Sequence, residues 1–211
     1  MTIVAGRLRR LCVLTLATAT LVGCGFNAIP TKQERGKATW ADVQSQYQRR
    51  ADLIPNLVAT VQGFAVQERS VLTEVTQARA SATRIKVDAS TITDPAAFGR
   101  YQSAQNQLSG VLGRLLLLSE RYPDLKSSQN FLTLQSQLEG TENRIAIARR
   151  DYNEAVRDYN TELRTVPGLL WAKTAYRSSA PMQPFAATTA AQQVPVVKIA
   201  PSTPPSPRPQ P

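Results

Sequence analysis

The sequence predicts an all-α fold, an up-and-down bundle of about four long helices followed by a disordered Pro-rich C-terminal tail. Three observations predict it. Apolar residues recur at steps of three and four through most of residues 31–164, the period of a helix face. No run alternates apolar and polar residues between hairpin turns, as a half-buried strand would. Helix breakers are scarce where the periodicity is strong: between residues 31 and 93 there is one Pro, Pro55, and two Gly, Gly36 and Gly63.

The N-terminus comes first and is not part of the bundle. Arg7, Arg9 and Arg10 form a basic start, and residues 11–22 are apolar apart from Thr15, Thr18 and Thr20. That run is shorter than the about 20 residues a membrane span needs, and it suits the apolar stretch of a secretory signal. It ends in Leu21-Val22-Gly23-Cys24, which resembles the lipobox of bacterial lipoproteins. The resemblance implies a signal peptide over residues 1–23, cleavage before Cys24, lipidation of Cys24, and a lipidated linker over 24–32. Each buried CH₂ of an acyl chain contributes about 0.8 kcal/mol of membrane affinity. Cys12 would leave with the signal, so the mature chain has no disulfide and must rely on helix packing.

The bundle is expected over residues 33–168. Trp40, Val43, Tyr47, Ala51, Ile54, Leu57, Val61 and Phe64 share one helical face, which continues through Leu72, Val75, Ala78, Ala82 and Ile85. Pro55 interrupts that face. It has no N–H and crowds the carbonyl four residues back, so a kink is expected. Asp94-Pro95 restarts a helix, with Asp as cap and Pro at the first turn. This helix is expected over 96–121, with Tyr101, Leu108, Leu112, Leu115 and Leu118 inward. Tyr122-Pro123-Asp124 ends it. The last helix, over 124–164, has Phe131, Leu134, Leu138, Thr141, Ile145, Ala148, Tyr152, Ala155 and Tyr159 in alternating steps of three and four, a heptad seam. Within it Arg150-Asp151-Tyr152-Asn153 repeats seven residues later as Arg157-Asp158-Tyr159-Asn160. Val166-Pro167-Gly168 stops it. Residues 169–180 are expected to form a loosely ordered cap or interfacial segment. Nine of the 14 prolines lie at Pro181 or beyond, and residues 181–211 are expected to stay disordered.

Composition narrows the chemistry. The chain has no His, which removes the commonest general base and metal ligand, and with them zinc sites of the Cys/His type and Ser-His-Asp triads. The net charge of +10 lies largely at the ends. Residues 1–23 carry three Arg and no acid, and residues 169–211 carry Lys173, Arg177, Lys198 and Arg208 and no acid, whereas residues 24–168 hold 18 basic and 15 acidic side chains. A nearly balanced folded part argues against nucleic-acid binding. Glu139, Glu142, Arg144, Asp151 and Glu154 read as a solvated flank. No catalytic residue, metal or cofactor is expected.

Several stretches resemble the LemA family. They are Arg49-Arg50-Ala51-Asp52-Leu53-Ile54-Pro55-Asn56-Leu57-Val58, Val61-Gln62-Gly63-Phe64-Ala65, Gly25-Phe26-Asn27, Tyr122-Pro123-Asp124-Leu125-Lys126, Gln129-Asn130-Phe131, Leu138-Glu139-Gly140-Thr141-Glu142-Asn143-Arg144-Ile145 and Ala148-Arg149-Arg150-Asp151-Tyr152-Asn153. The resemblance covers residues 25–167. It implies a membrane-anchored helical bundle and no particular catalytic activity. It departs from the family in its lipobox, where many relatives have a longer membrane anchor, and in a C-terminal segment echoed only by Leu169-Leu170-Trp171-Ala172 and Phe185.

Two surfaces emerge as candidates. Arg49, Arg50, Asp52, Pro55 and Asn56 surround the kink and form a candidate partner surface; their alternative is structural, with Arg49 pairing Asp52 and Asn56 satisfying a carbonyl freed by Pro55. Leu169, Leu170, Trp171, Lys173 and Arg177 form a candidate membrane contact, or a segment folded back as a cap. The expected function is a non-catalytic scaffold or adaptor on the outer side of a bacterial membrane, tethered by lipid, with an envelope protein or a second copy as partner. An outer-membrane location rests on Gly25 following Cys24. An accessory partner of a membrane-associated protease, and a bundle that binds a small or lipidic ligand, are the alternatives.

Overall fold

The computed structural model describes residues 25–88 and 90–186. The signal segment, Cys24 and residues 187–211 lie outside the described residues. Six α-helices account for the described fold: α1 Ala28–Phe64, α2 Arg69–Arg84, α3 Pro95–Leu118, α4 Pro123–Ser127, α5 Gln129–Glu162 and α6 Gly168–Thr174. A short 3₁₀ turn, Ser119–Arg121, joins α3 to α4. Four of these are long, and they alternate in direction. Lys32 and Arg35 meet Glu162 and Asp158, while Arg50 meets Glu142, so α1 and α5 are antiparallel. Arg114 meets Glu74, while Ala82 and Thr83 share a furrow with Tyr101 and Gln105, so α3 is antiparallel to α2.

The helix boundaries follow from local chemistry. Asp94 caps α3 by accepting from the Ala96 N–H, and Pro95 occupies the first turn. The last helix begins at Gln129, not 124, because Ser128 is extended and separates α4 from α5. At about 1.5 Å per residue, the 34 residues of α5 span about 51 Å. The linker expected over 24–32 is also shorter: α1 begins at Ala28, and Ile29 is fully buried.

The interior has two tiers. Ile54, Leu57, Val61, Leu72, Val75, Leu108, Leu112, Leu115, Phe131 and Leu138 belong to an almost wholly aliphatic tier. Trp40, Tyr47, Phe98, Tyr101, Tyr152, Tyr159 and Phe185 belong to an aromatic one. The Trp40 ring centre lies 5.7 Å from Phe98, 5.3 Å from Tyr101 and Tyr152, and 5.9 Å from Phe185. The aromatics are few, but most of them are concentrated at one place.

Pro55 lies inside an unbroken α1. It deprives the Ala51 carbonyl of its usual N–H donor. Arg79 on α2 replaces that donor, its Nε giving a hydrogen bond of 2.7 Å to the Ala51 oxygen. The role foreseen for Asn56 thus falls to an arginine 28 residues away. We predict that Arg79→Ala lowers stability by about 1–2 kcal/mol, since a buried carbonyl loses its partner. In a Pro55→Ala background, which restores the N–H, the same change costs clearly less. Chemical denaturation of the four proteins measures the coupling.

Candidate functional site

Three sites stand out once the helices are in place: a buried arginine, an extended strap, and the end of the bundle where the chain enters.

Arg50 is 1% exposed. It lies between the aromatic and aliphatic tiers and connects three helices. Its Nη1 donates to Ser109 Oγ (2.6 Å) on α3 and to Glu142 Oε1 (2.8 Å) on α5. Its Nη2 donates to Gln105 Oε1 (2.7 Å) and, at 3.3 Å, to the Gln105 carbonyl. The Tyr47 ring covers it at 5.0 Å. A buried charge is costly unless its donors find partners; here both terminal nitrogens of the planar guanidinium reach acceptors on two helices at once, while Nε has no partner among the described residues. Arg50 therefore does not belong to a partner surface. Arg49, Asp52, Pro55 and Asn56 are exposed, and Asp52 accepts from Gln48 Nε2 at 2.7 Å rather than pairing with Arg49. The burial of Arg50 had a signal in the sequence. Val43, Tyr47, Arg50, Ile54, Leu57 and Val61 alternate steps of four and three, so Arg50 occupies a seam position. Gln105 does the same between Tyr101 and Leu108, and both are buried.

The strap was placed in the disordered tail by its composition. Residues 181–186 are instead extended along α5, with Met182 and Phe185 buried in the aromatic tier. The two Asn of the seven-residue repeat hold it. Asn160 accepts from the Met182 N–H (2.9 Å) and donates to the Met182 carbonyl (2.8 Å). Asn153 does the same to Phe185, at 2.8 and 3.0 Å. Tyr152 donates to the Gln183 carbonyl (2.9 Å), and the Gln183 N–H donates to the Ile92 carbonyl (2.7 Å). Arg149 lies over the Phe185 ring at 4.5 Å. Two turns of helix advance about 10.5 Å, and three extended residues about 10 Å, so Asn153 and Asn160 meet residues 185 and 182 without strain. Gly36 is the counterpart on α1: a Cβ there would lie 2.7 Å from the Met182 sulfur.

The third site is the end at which residue 25 enters. Gly25 adopts φ +107°, a conformation that favours glycine, beside Pro167. Phe26 packs edge-on against Trp171 at 5.2 Å and against Tyr176 at 5.4 Å. The segment expected to be loosely ordered is thus the short helix α6. Leu169 and Trp171 are half-buried, whereas Leu170, Lys173 and Arg177 are exposed.

The carboxylates pair along the outer faces: Glu162 with Lys32, Asp158 with Arg35, Glu74 with Arg114 and Glu68 with Arg121. Among the described residues, no group of three or more His, Cys, Asp or Glu is placed to hold a metal. Burial raises the phenol pKa of Tyr47, Tyr101, Tyr152 and Tyr159, which keeps these hydroxyls neutral. The furrow between α1, α2 and α3, about 180 Å³, has a mixed lining, with Gln44, Gln48 and Gln105 beside Tyr47, Ile85 and Leu108. No described helix is long and apolar enough to cross a membrane.

These features define a braced helical bundle with no catalytic constellation among the described residues. The model of the LemA family matches residues 39–199, and the chain belongs to that family. The match extends past the strap, further than the resemblance read from the sequence. The chain is similar to the protein LemA of Metamycoplasma hominis, 26% identical over 123 residues, which is 58% of this chain and 52% of that one. It is also similar to the magnetosome protein MamQ 2 of Paramagnetospirillum magneticum, 25% identical over 158 residues, 67% of this chain and 58% of that one. The magnetosome protein MamQ of Magnetospirillum gryphiswaldense is 24% identical over the same length. The chain spans a little over half the length of the curated relatives it matches. The family is one of membrane-associated helical proteins.

Arg50→Lys is expected to lower stability by about 2 kcal/mol, because an ammonium on a flexible stem cannot serve α3 and α5 together; thermal unfolding of the purified protein measures it. Asn153→Ala with Asn160→Ala releases the strap, and limited proteolysis then cuts within residues 178–186 while α1 and α5 resist.

Proposed function

We propose that the protein is a membrane-tethered, non-catalytic scaffold or adaptor of the bacterial cell envelope, acting on the outer side of the membrane through protein–protein contact. Lipid at Cys24 would supply the tether. The observation that carries this reading is the chemistry of the end remote from residue 25. Phe64 and Val66 at the end of α1, Leu117 at the end of α3 and Leu132 near the start of α5 are all exposed there. Four large apolar side chains left in water at one tip have the character of a contact surface. Helix α1 has 37 residues, so this tip stands about 55 Å from the point of entry. A rod stiffened at Arg50 can hold such a surface at a fixed height.

The test is photo-crosslinking in intact cells from position 117, with position 106 on the same helix as the comparison. One membrane protein captured from 117 is the expected result; links between copies would make the partner a second chain. Leu117→Lys should abolish the capture and leave thermal unfolding within about 0.5 kcal/mol, as exposed substitutions do. Equal and sparse capture from 106 and 117 would remove the tip from the reading.

A further inference from the structure

We infer that the entry end of the bundle is a docking face for an anionic lipid surface, so that the rod stands on the membrane instead of hanging from a loose tether. This rests on the tethered reading above and deepens it. Val166 is 72% exposed, Leu170 58% and Phe26 42%, although each lies beside the well-packed aromatic tier. Val166 belongs to the turn after α5, Leu170 to α6, and Phe26 to the turn before α1, so three separate segments converge on this end. The Phe26–Trp171 contact joins the second and the third of these segments into one unit.

Charge selects the occupant. The carboxylates nearest this end are already paired, Glu162 with Lys32 and Asp158 with Arg35. Arg164, Lys173 and Arg177 are exposed, and among the described residues none of them forms an ion pair. Arg177 is held in place by its Nε, which donates to the Lys173 carbonyl at 2.9 Å. Apolar side chains ringed by unpaired cations match a surface with acyl chains beneath anionic headgroups. Chain continuity agrees. The apolar run 11–22 and Cys24 immediately precede Gly25, so any anchor there brings this same end to the bilayer within a few residues. The linker that would have allowed free swing is helix from Ala28 onward.

The face combines the foreseen Leu170, Lys173 and Arg177 with three residues that the sequence did not assign to a surface, Phe26, Arg164 and Val166. Trp171 is less a membrane anchor than the brace that holds Phe26 in position.

The test uses the full chain reconstituted into vesicles of phosphatidylcholine, with or without phosphatidylglycerol, in which part of the lipid carries brominated acyl chains that quench nearby indoles. Leu170→Trp reports from the proposed face and Leu117→Trp from the far tip; both positions are exposed, and thermal unfolding checks that both variants fold. At least twofold stronger quenching of the added indole at 170 than at 117 is expected. Quenching at 170 should be greater with phosphatidylglycerol and fall to the phosphatidylcholine level when Arg164, Lys173 and Arg177 are all replaced by Gln. Equal, weak quenching at 170 and 117 in a protein that still floats with the vesicles overturns the docking face while leaving the tether intact. Equal quenching at 170 in the two lipids overturns the anionic preference. A protein that does not float with vesicles at all overturns the tether as well.

Discussion

The Arg50 guanidinium is the contact on which the rest of the bundle depends. It is one charged group, almost wholly enclosed, with acceptors on Gln105, Ser109 and Glu142. A seam of Leu and Val can slide by a heptad and still bury similar area. A guanidinium with fixed acceptors on α3 and α5 cannot, because a shift of one turn, about 5.4 Å, separates every pair. The arginine thus sets the register of α1 against both neighbours. It also separates the aromatic tier from the aliphatic one. Arg79 makes a second tie of the same kind, from α2 to the carbonyl that Pro55 leaves free. Two arginines therefore tie α1 to each of the other three long helices.

The strap depends on a coincidence of repeat lengths. An extended chain has unsatisfied backbone groups on both edges, and a helix normally offers nothing that matches them. Asparagine carries a donor and an acceptor side by side, so one side chain can satisfy both backbone groups of a single residue. Two of them a heptad apart satisfy two residues three apart. Met182 and Phe185 then complete a core that four helices leave open beside Gly36. Extended chain here performs the work of a helix face.

The two ends of the rod differ in a way that fits a protein acting at a boundary. At one end, exposed apolar side chains stand next to the chain's entry beside Arg164, Lys173 and Arg177, which form no ion pair among the described residues. At the other, apolar side chains project among charges that are largely paired, Glu68 with Arg121 and Glu120 with Lys126. Between them the surface is a mosaic of short ion pairs, worth little in stability and suited to water. Membership of a family of membrane-associated helical proteins agrees with that asymmetry.

The sequence by itself determined the helical class, the cap at Asp94, and most of the inward positions of α5, from Phe131 to Tyr159, but not the break at residues 65–68 that divides α1 from α2. These follow from periodicity and local capping, which act within a few residues. It also contained the seam position of Arg50, legible only if a charged residue is allowed to count in the pattern. Tertiary structure decided what depends on distant partners. A donor for the Ala51 carbonyl came from α2, acceptors on α3 and α5 made Arg50 a core residue, and two asparagines turned Pro-rich chain into a buried strap. It also turned the expected linker into the start of α1, and took Arg50 out of the exposed residues around Pro55. Composition describes what a segment can bury alone, whereas burial at residues 182 and 185 depends on a groove built by residues far away in the chain.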